Sequence, residues 1–230
     1  MILRSIESHV QDLLAASDPV TPLDSLAYTH ALILYQIIRL FDGDIGARAA
    51  AERDILVLET AAISLLAHVR FDSASAPIAE LPLFPLGPTK AFWSDWVFQE
   101  SARRTLLFAF FFLQTYHYCS GNTEQLCDER MLLCQSFTLS AHLWRAETAA
   151  AFAEAWKNKK HFVVMTGMFD EVIQEARADD VDDLGRILLS AFMGIEEAEA
   201  WLITRGGALR TPSAIQSGEM GADIFQVKVV

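Results

Sequence analysis

Between Phe92 and Cys119 the chain reads FWSDWVFQESARRTLLFAFFFLQTYHYC, two tryptophans and a Glu-Arg-Arg cluster followed by a nearly unbroken apolar run. At helical spacings of three and four, Trp93, Trp96, Glu100, Arg103 or Arg104, Leu107, Phe111 and Gln114 fall along one side. A carboxylate three or four residues from a guanidinium can hold it in place for an anionic or carbonyl-bearing ligand. The same pairing can serve as an internal salt bridge that orients the helix, and that structural use is the preferred one for Glu100, Arg103 and Arg104. Trp93 and Trp96 each offer a flat face and a ring-edge donor to an aromatic ligand, with core packing as the competing use.

At the far end of the run stand Tyr116, His117 and Tyr118. Three polar rings beside an apolar wall can donate protons or hydrogen bonds into a dry pocket, which makes them the catalytic candidates of this chain. Successive helical residues face about 100 degrees apart, so at most two of them share a site. The other histidines, His9, His30, His68, His142 and His161, stand apart from one another in sequence, with no spacing that suggests a metal site. No glycine-rich phosphate loop, serine nucleophile elbow or nicotinamide fingerprint occurs, so neither a cofactor nor a metal is expected. The acidic run Asp179, Asp180, Asp182 and Asp183 reads as a turn rich in helix caps.

These residues need helices to place them. An amphipathic helix is expected over Ile2 to Ala16, then Pro22 and Asp24 in a turn, then a mostly apolar helix from Leu26 to Phe41 with a polar stripe through Thr29, Gln36 and Arg39. Asp44 caps a third helix to about Val69. Four prolines, Pro77, Pro82, Pro85 and Pro88, make Asp72 to Pro88 an extended loop with apolar residues between them, and Thr89 caps the long helix that closes near Ser120, Gly121 and Asn122. A short helix from Glu124 to Leu133, one from Ser140 or His142 to Trp156, and two more over Asp170 to Ala178 and Val181 to Arg205 complete the set. Only Ile224 to Val230 has strand composition.

The 230 residues suffice for a core without staples, and 52% hydrophobic content with 15 phenylalanines points to a large interior, or to an apolar pocket or partner face. Net charge is −12, with 18 Lys and Arg in all, so the basic patch that nucleic acid requires is missing; the run Lys157 to His161 is a solvated helix end. Cys119, Cys127 and Cys134 are spaced eight and seven apart, unlike zinc or redox pairs, and fit reduced thiols in an intracellular protein. The N-terminus lacks an uninterrupted apolar core of the secretory kind, and Leu106 to Leu113 is too short to span a bilayer. A cytoplasmic or nuclear protein without membrane attachment is the expectation.

Leu26 to Leu58, LAYTHALILYQIIRLFDGDIGARAAAERDILVL, resembles the regulatory middle domain of fungal zinc binuclear cluster transcription factors. Phe92 to Thr105 is similar to that family's Trp-x-x-Trp, Glu-Ser-x-Arg-Arg-Thr signature, and Cys134 followed by Leu143-Trp144-Arg145-Ala146 is similar to its later landmarks. The resemblance implies a helical regulatory fold, and it adds Trp144 to the candidate ligand-binding set of Trp93, Trp96, Arg103, Arg104, Phe111 and Gln114. It does not carry DNA binding over, because the chain starts inside the regulatory region with three cysteines, whereas that family's zinc module uses six.

The reading is an all-α, single-domain multi-helix bundle over residues 1–207 with a C-terminal tail over 208–230, built round a long central hydrophobic helix and a proline-rich loop. Its expected function is that of a small-molecule-binding domain of secondary metabolism, a ligand-sensing or partner-binding transcriptional co-regulator without direct DNA contact. The expected ligand is a small lipophilic or aromatic molecule, and a protein partner or a second copy is the other candidate. The alternative is a cofactor-free cyclase, cycloaddition catalyst or isomerase that holds a reactive intermediate in the same apolar mould.

Overall fold

The computed structural model describes residues 2–71, 80–122, 136–165 and 167–206. Apart from a two-stranded ribbon, the regular structure in this set is helical, as expected of an all-α chain. The residues gather into two compact units: 1–71 with 101–134, and 72–100 with 135–230.

In the first unit, α1 (Ile2–Ala15) leads to α2 (Pro22–Phe41). The second helix begins four residues before Leu26, because Pro22 is no breaker in the first turn, where its missing N–H costs nothing. Thr21 caps it in a reciprocal box: the Asp24 amide donates to Thr21 Oγ1 and the Thr21 amide donates to Asp24 Oδ2. The single helix expected from Asp44 to Val69 is instead two, α3 (Ile45–Arg53) and α4 (Ile55–Leu66), divided at Asp54, whose φ of −92° and ψ of 2° leave the helical region. Asp44 caps α3 through the Ala47 amide. Leu26, Leu32, Ile33, Leu58, Ala62 and Leu65 are buried, as are Leu106 and Phe110.

Helix α5 (Gly87–Cys119) is 33 residues long, about 50 Å at 1.5 Å per residue, and contributes residues to both units. Its start differs from expectation: Thr89 lies inside the first turn, fully buried, and its hydroxyl donates to the Pro82 carbonyl at 2.6 Å, tying the end of the proline-rich loop to the helix. It closes where expected, with Gly121 at φ +77° and the Asn122 amide donating to the His117 carbonyl. Pro77, Cys127, Cys134, the helix expected over Glu124 to Leu133, the tail and the strand expected near Val230 lie outside the described residues.

In the second unit, β1 (Phe137–Thr138) pairs antiparallel with β2 (Val163–Val164), Phe137 opposite Val164. Sequence reading missed this ribbon, since two residues are too few to show alternation. Between the strands lie α6 (Ala141–Trp144) and α7 (Ala149–Asn158), where one helix was expected; Thr148 restarts the chain by accepting from the Ala151 amide. Then come α8 (Asp170–Glu175), α9 (Asp183–Met193) and α10 (Ile195–Thr204). The last two replace the helix expected over Val181 to Arg205, broken at Gly194, whose φ of +93° no L-residue adopts easily. The acidic turn caps helices as expected, with Asp182 accepting from the Gly185 amide.

Gly185 sits mid-helix, where alanine normally stabilises by about 1 kcal/mol. Here a Cβ would come 2.2 Å from Leu139 Cδ2 and 2.7 Å from Val181 Cγ1. Leu139 and Val181 are fully buried. Gly185→Ala is therefore expected to destabilise by about 1–3 kcal/mol, and a rise in the urea midpoint would contradict this packing.

Candidate functional site

The signature in α5 resolves into individual anchors. Glu100 is fully buried, and its Oε1 accepts from the Thr138 amide at 2.8 Å, fixing strand β1 to the helix within the second unit. In the first unit, Arg103 is buried and donates through Nη1 to the Arg70 carbonyl at 2.9 Å, which holds the chain just beyond α4. Arg104 is buried as well. Thr105 donates to the Ser101 carbonyl at 2.8 Å and meets His30 Nε2 of α2 through the same oxygen. These contacts, made by Glu100 and Arg103 to backbone groups and by Thr105 to His30, fasten elements together.

The tryptophans belong to an aromatic cluster in the second unit. Trp93, Trp96 and Trp144 are buried with Val97, Leu143 and Phe152, and Phe92 and Trp156 pack against them. Phe152 is central: its ring centroid lies 5.1 Å from that of Trp96, 5.6 Å from Trp156, 6.2 Å from Phe92 and 6.4 Å from Trp93. The row continues through Trp156 to His161 at 4.5 Å and His142 at 6.0 Å beyond it. Among the described residues, neither Trp93 Nε1 nor Trp156 Nε1 meets an acceptor, although both are buried. Burial pulls His142 down to about 4, helped by the neighbouring His161 and opposed by Asp180, whose Oδ1 is 3.8 Å from His142 Nδ1. Burial also lowers His161, against the Trp156 carbonyl that its Nε2 faces at 2.9 Å. Phe152, Trp156, His142 and His161 were absent from the sequence-derived set: Phe152 and Trp156 meet Trp96 and Phe92 from more than fifty residues away, and the two histidines meet each other only through folding.

The other candidates are in the first unit. Tyr116 is half-buried and its ring meets that of His117 edge to face at 5.4 Å; burial raises its phenol, with Glu52 adding to the shift and Arg48 opposing it. His117 Nδ1 is buried and has no hydrogen-bond partner among the described residues. Tyr118 is 70% exposed, Phe111 is 54% exposed, and Gln114 is half-buried. Tyr118 and Phe111 thus face outward, and Tyr116 with His117 forms the pair that geometry brings together.

Two polar centres of this unit were not singled out as sites. Arg39, on the expected polar stripe of α2, is 1% exposed and donates to Asp54 Oδ2 at 2.8 Å, with Gln36 Oε1 at 3.2 Å and Glu7 Oε2 at 3.5 Å. Burial pulls His30 down to about 4. A histidine lowered this far takes up a proton in the unfolded chain near pH 6.5 but in the folded one only near pH 4. Stability is therefore full above about pH 6.5 and falls as the pH drops towards 4, by about 3 kcal/mol from this group. In urea unfolding at stepped pH, His30→Gln should flatten that slope relative to the wild type; an unchanged slope would contradict the assignment.

The chain is similar to a curated protein named "Transcription factor gsfR2" from Penicillium aethiopicum, at 32% identity over 207 residues, 88% of this chain and 48% of the relative. This chain is a homologue of a fungal transcription factor. It spans about half the length of that curated relative. No family model matches the chain, and no solved structure does. Among the described residues, no helix is long and apolar enough to cross a membrane.

Proposed function

We propose that the chain is a transcriptional co-regulator that works inside the cell by binding a partner protein or a small lipophilic or aromatic molecule, without touching DNA itself. The observation that carries this reading is the similarity to a transcription factor across 88% of the chain. A net charge of −12 over these residues opposes phosphate contact and supports an indirect role. Apolar side chains left in solvent on both units, such as Phe41, Phe111, Phe192 and Ile195, favour partner binding, since large apolar groups at the surface mark interaction faces when they gather. For ligand sensing, the supporting observation is the buried indole N–H groups of Trp93 and Trp156, donors that an acceptor-bearing aromatic molecule would satisfy.

The test is deletion of the gene in its host with transcripts and metabolites measured together. Transcripts of a co-regulated gene set should fall and return when the chain is supplied. If transcripts hold steady while purified protein converts an intermediate above background, the reading fails and the enzyme takes its place.

A further inference from the structure

The second unit carries an apolar patch whose surroundings specify what would cover it. Met168 is 62% exposed, Phe192 58% and Ile195 70%. Met168 and Phe192 are joined through Phe169, which follows Met168 and whose ring lies 5.2 Å from that of Phe192. Ile195 opens α10 immediately after the Gly194 break, three residues from Phe192. Met165, also exposed, joins them because its carbonyl accepts from the Met168 amide at 3.0 Å.

The rim of this patch is acidic. Asp170 stands next to Phe169, and Glu196, Glu197 and Glu199 follow Ile195; all four are exposed. Among the described residues none of the four forms an ion pair, whereas Lys160 takes up Glu171 and Glu175 nearby. The apolar residues of the first unit lack this setting: around Phe41 and Ile45 the charges are mixed, with Arg48 paired to Glu52 at 3.0 Å. An apolar strip edged by unpaired carboxylates complements a helix with one apolar face and Lys or Arg along its flanks. Methionines suit such a surface, since their side chains adapt to the partner's shape.

We infer that the face formed by Met165, Met168, Phe192 and Ile195, with its acidic rim, docks a basic amphipathic helix of a partner protein. The inference deepens the co-regulator reading and rests on it only for the partner's role in the cell. Docking stands on geometry and charge.

The experiment titrates the full chain with a fluorescent synthetic helix of about 18 residues, leucines on one face and lysines on its flanks, and with a twin bearing glutamates in place of the lysines. The lysine helix should bind at least about 10-fold more tightly than the twin, by a margin that shrinks as salt is raised. Ile195→Asp, Phe192→Asp and the pair Glu196→Lys with Glu197→Lys should each weaken it about 10-fold, while Ile38→Asp in the first unit leaves it unchanged. All four are surface changes, and far-UV circular dichroism checks that folding is kept. Equal binding of the two helices, or equal loss in Ile195→Asp and Ile38→Asp, overturns the proposal. So does self-association in sedimentation that Ile195→Asp abolishes, which would assign the face to a second copy. A cross-link from Ile195→Cys to the chain's own residues 207–230 that shuts out the helix would assign it to the tail. These binding results are read on purified protein, so loss of docking with transcripts still dependent on the chain removes this inference and leaves the regulatory reading intact.

Discussion

Replacing Arg39 by alanine is expected to cost about 3–5 kcal/mol of stability, because it strips a buried ion pair of one partner and leaves the other desolvated. The guanidinium is 1% exposed and donates to Asp54 at 2.8 Å, and Asp54 itself is mostly covered. Glu7 adds little at 3.5 Å, being 40% exposed and screened by water. The same geometry predicts a milder outcome for Arg39→Met. Arg39 Nε has no acceptor among the described residues, so the pair already carries a desolvation cost that a methionine of similar length would remove. Urea unfolding followed by far-UV circular dichroism should place alanine well below methionine. Equal losses, or a loss under about 1 kcal/mol for alanine, would mean that the pair is weaker than its burial implies.

Phe152→Ala should be comparably severe, at about 3–5 kcal/mol. The side chain is fully buried and four aromatic rings surround it within 6.4 Å, so its removal opens a space that stiff indoles cannot collapse to fill. Three of those rings, Trp93, Trp96 and Trp156, are fluorescent reporters of their own burial. The variant should show red-shifted emission before any denaturant is added, and Phe152→Leu should recover most of both signals. Emission unchanged in the alanine variant would contradict the packing of this cluster.

Much of the helical layout was legible in the sequence. The apolar periods located α1, α2 and α5, and the Gly121 stop appeared where a positive φ was called for. Two of the expected helices that proved to be two divide at a single residue that outweighs the period. Asp54 keeps its place in the apolar pattern while its backbone leaves the helix, and Gly194 looks like a tolerated helical glycine until its φ of +93° is seen. Site residues divide along similar lines. Spacing along α5 picked out Glu100, Arg103 and Trp96 as special but not their partners, since Thr138, Arg70 and Phe152 are 33 to 56 residues away and reach them only through folding. Tyr118 and Phe111 were misplaced for the opposite reason. An apolar neighbourhood in sequence suggested a pocket wall, whereas the last turns of α5 turn those two rings to solvent.

The contact between His30 and Thr105 has a direction. Thr105 has one hydroxyl hydrogen, and the Ser101 carbonyl receives it. The hydrogen between the ring and the threonine must then belong to His30 Nε2, which makes the imidazole a donor there and places its neutral-form hydrogen on Nε2. Two hydrogens are thereby ordered into one relay running from α2 to the backbone of α5. Nitrogen chemical shifts of this ring should therefore report the Nε2-protonated tautomer at neutral pH, and Thr105→Val, which keeps the shape but takes away the acceptor, should weaken that preference.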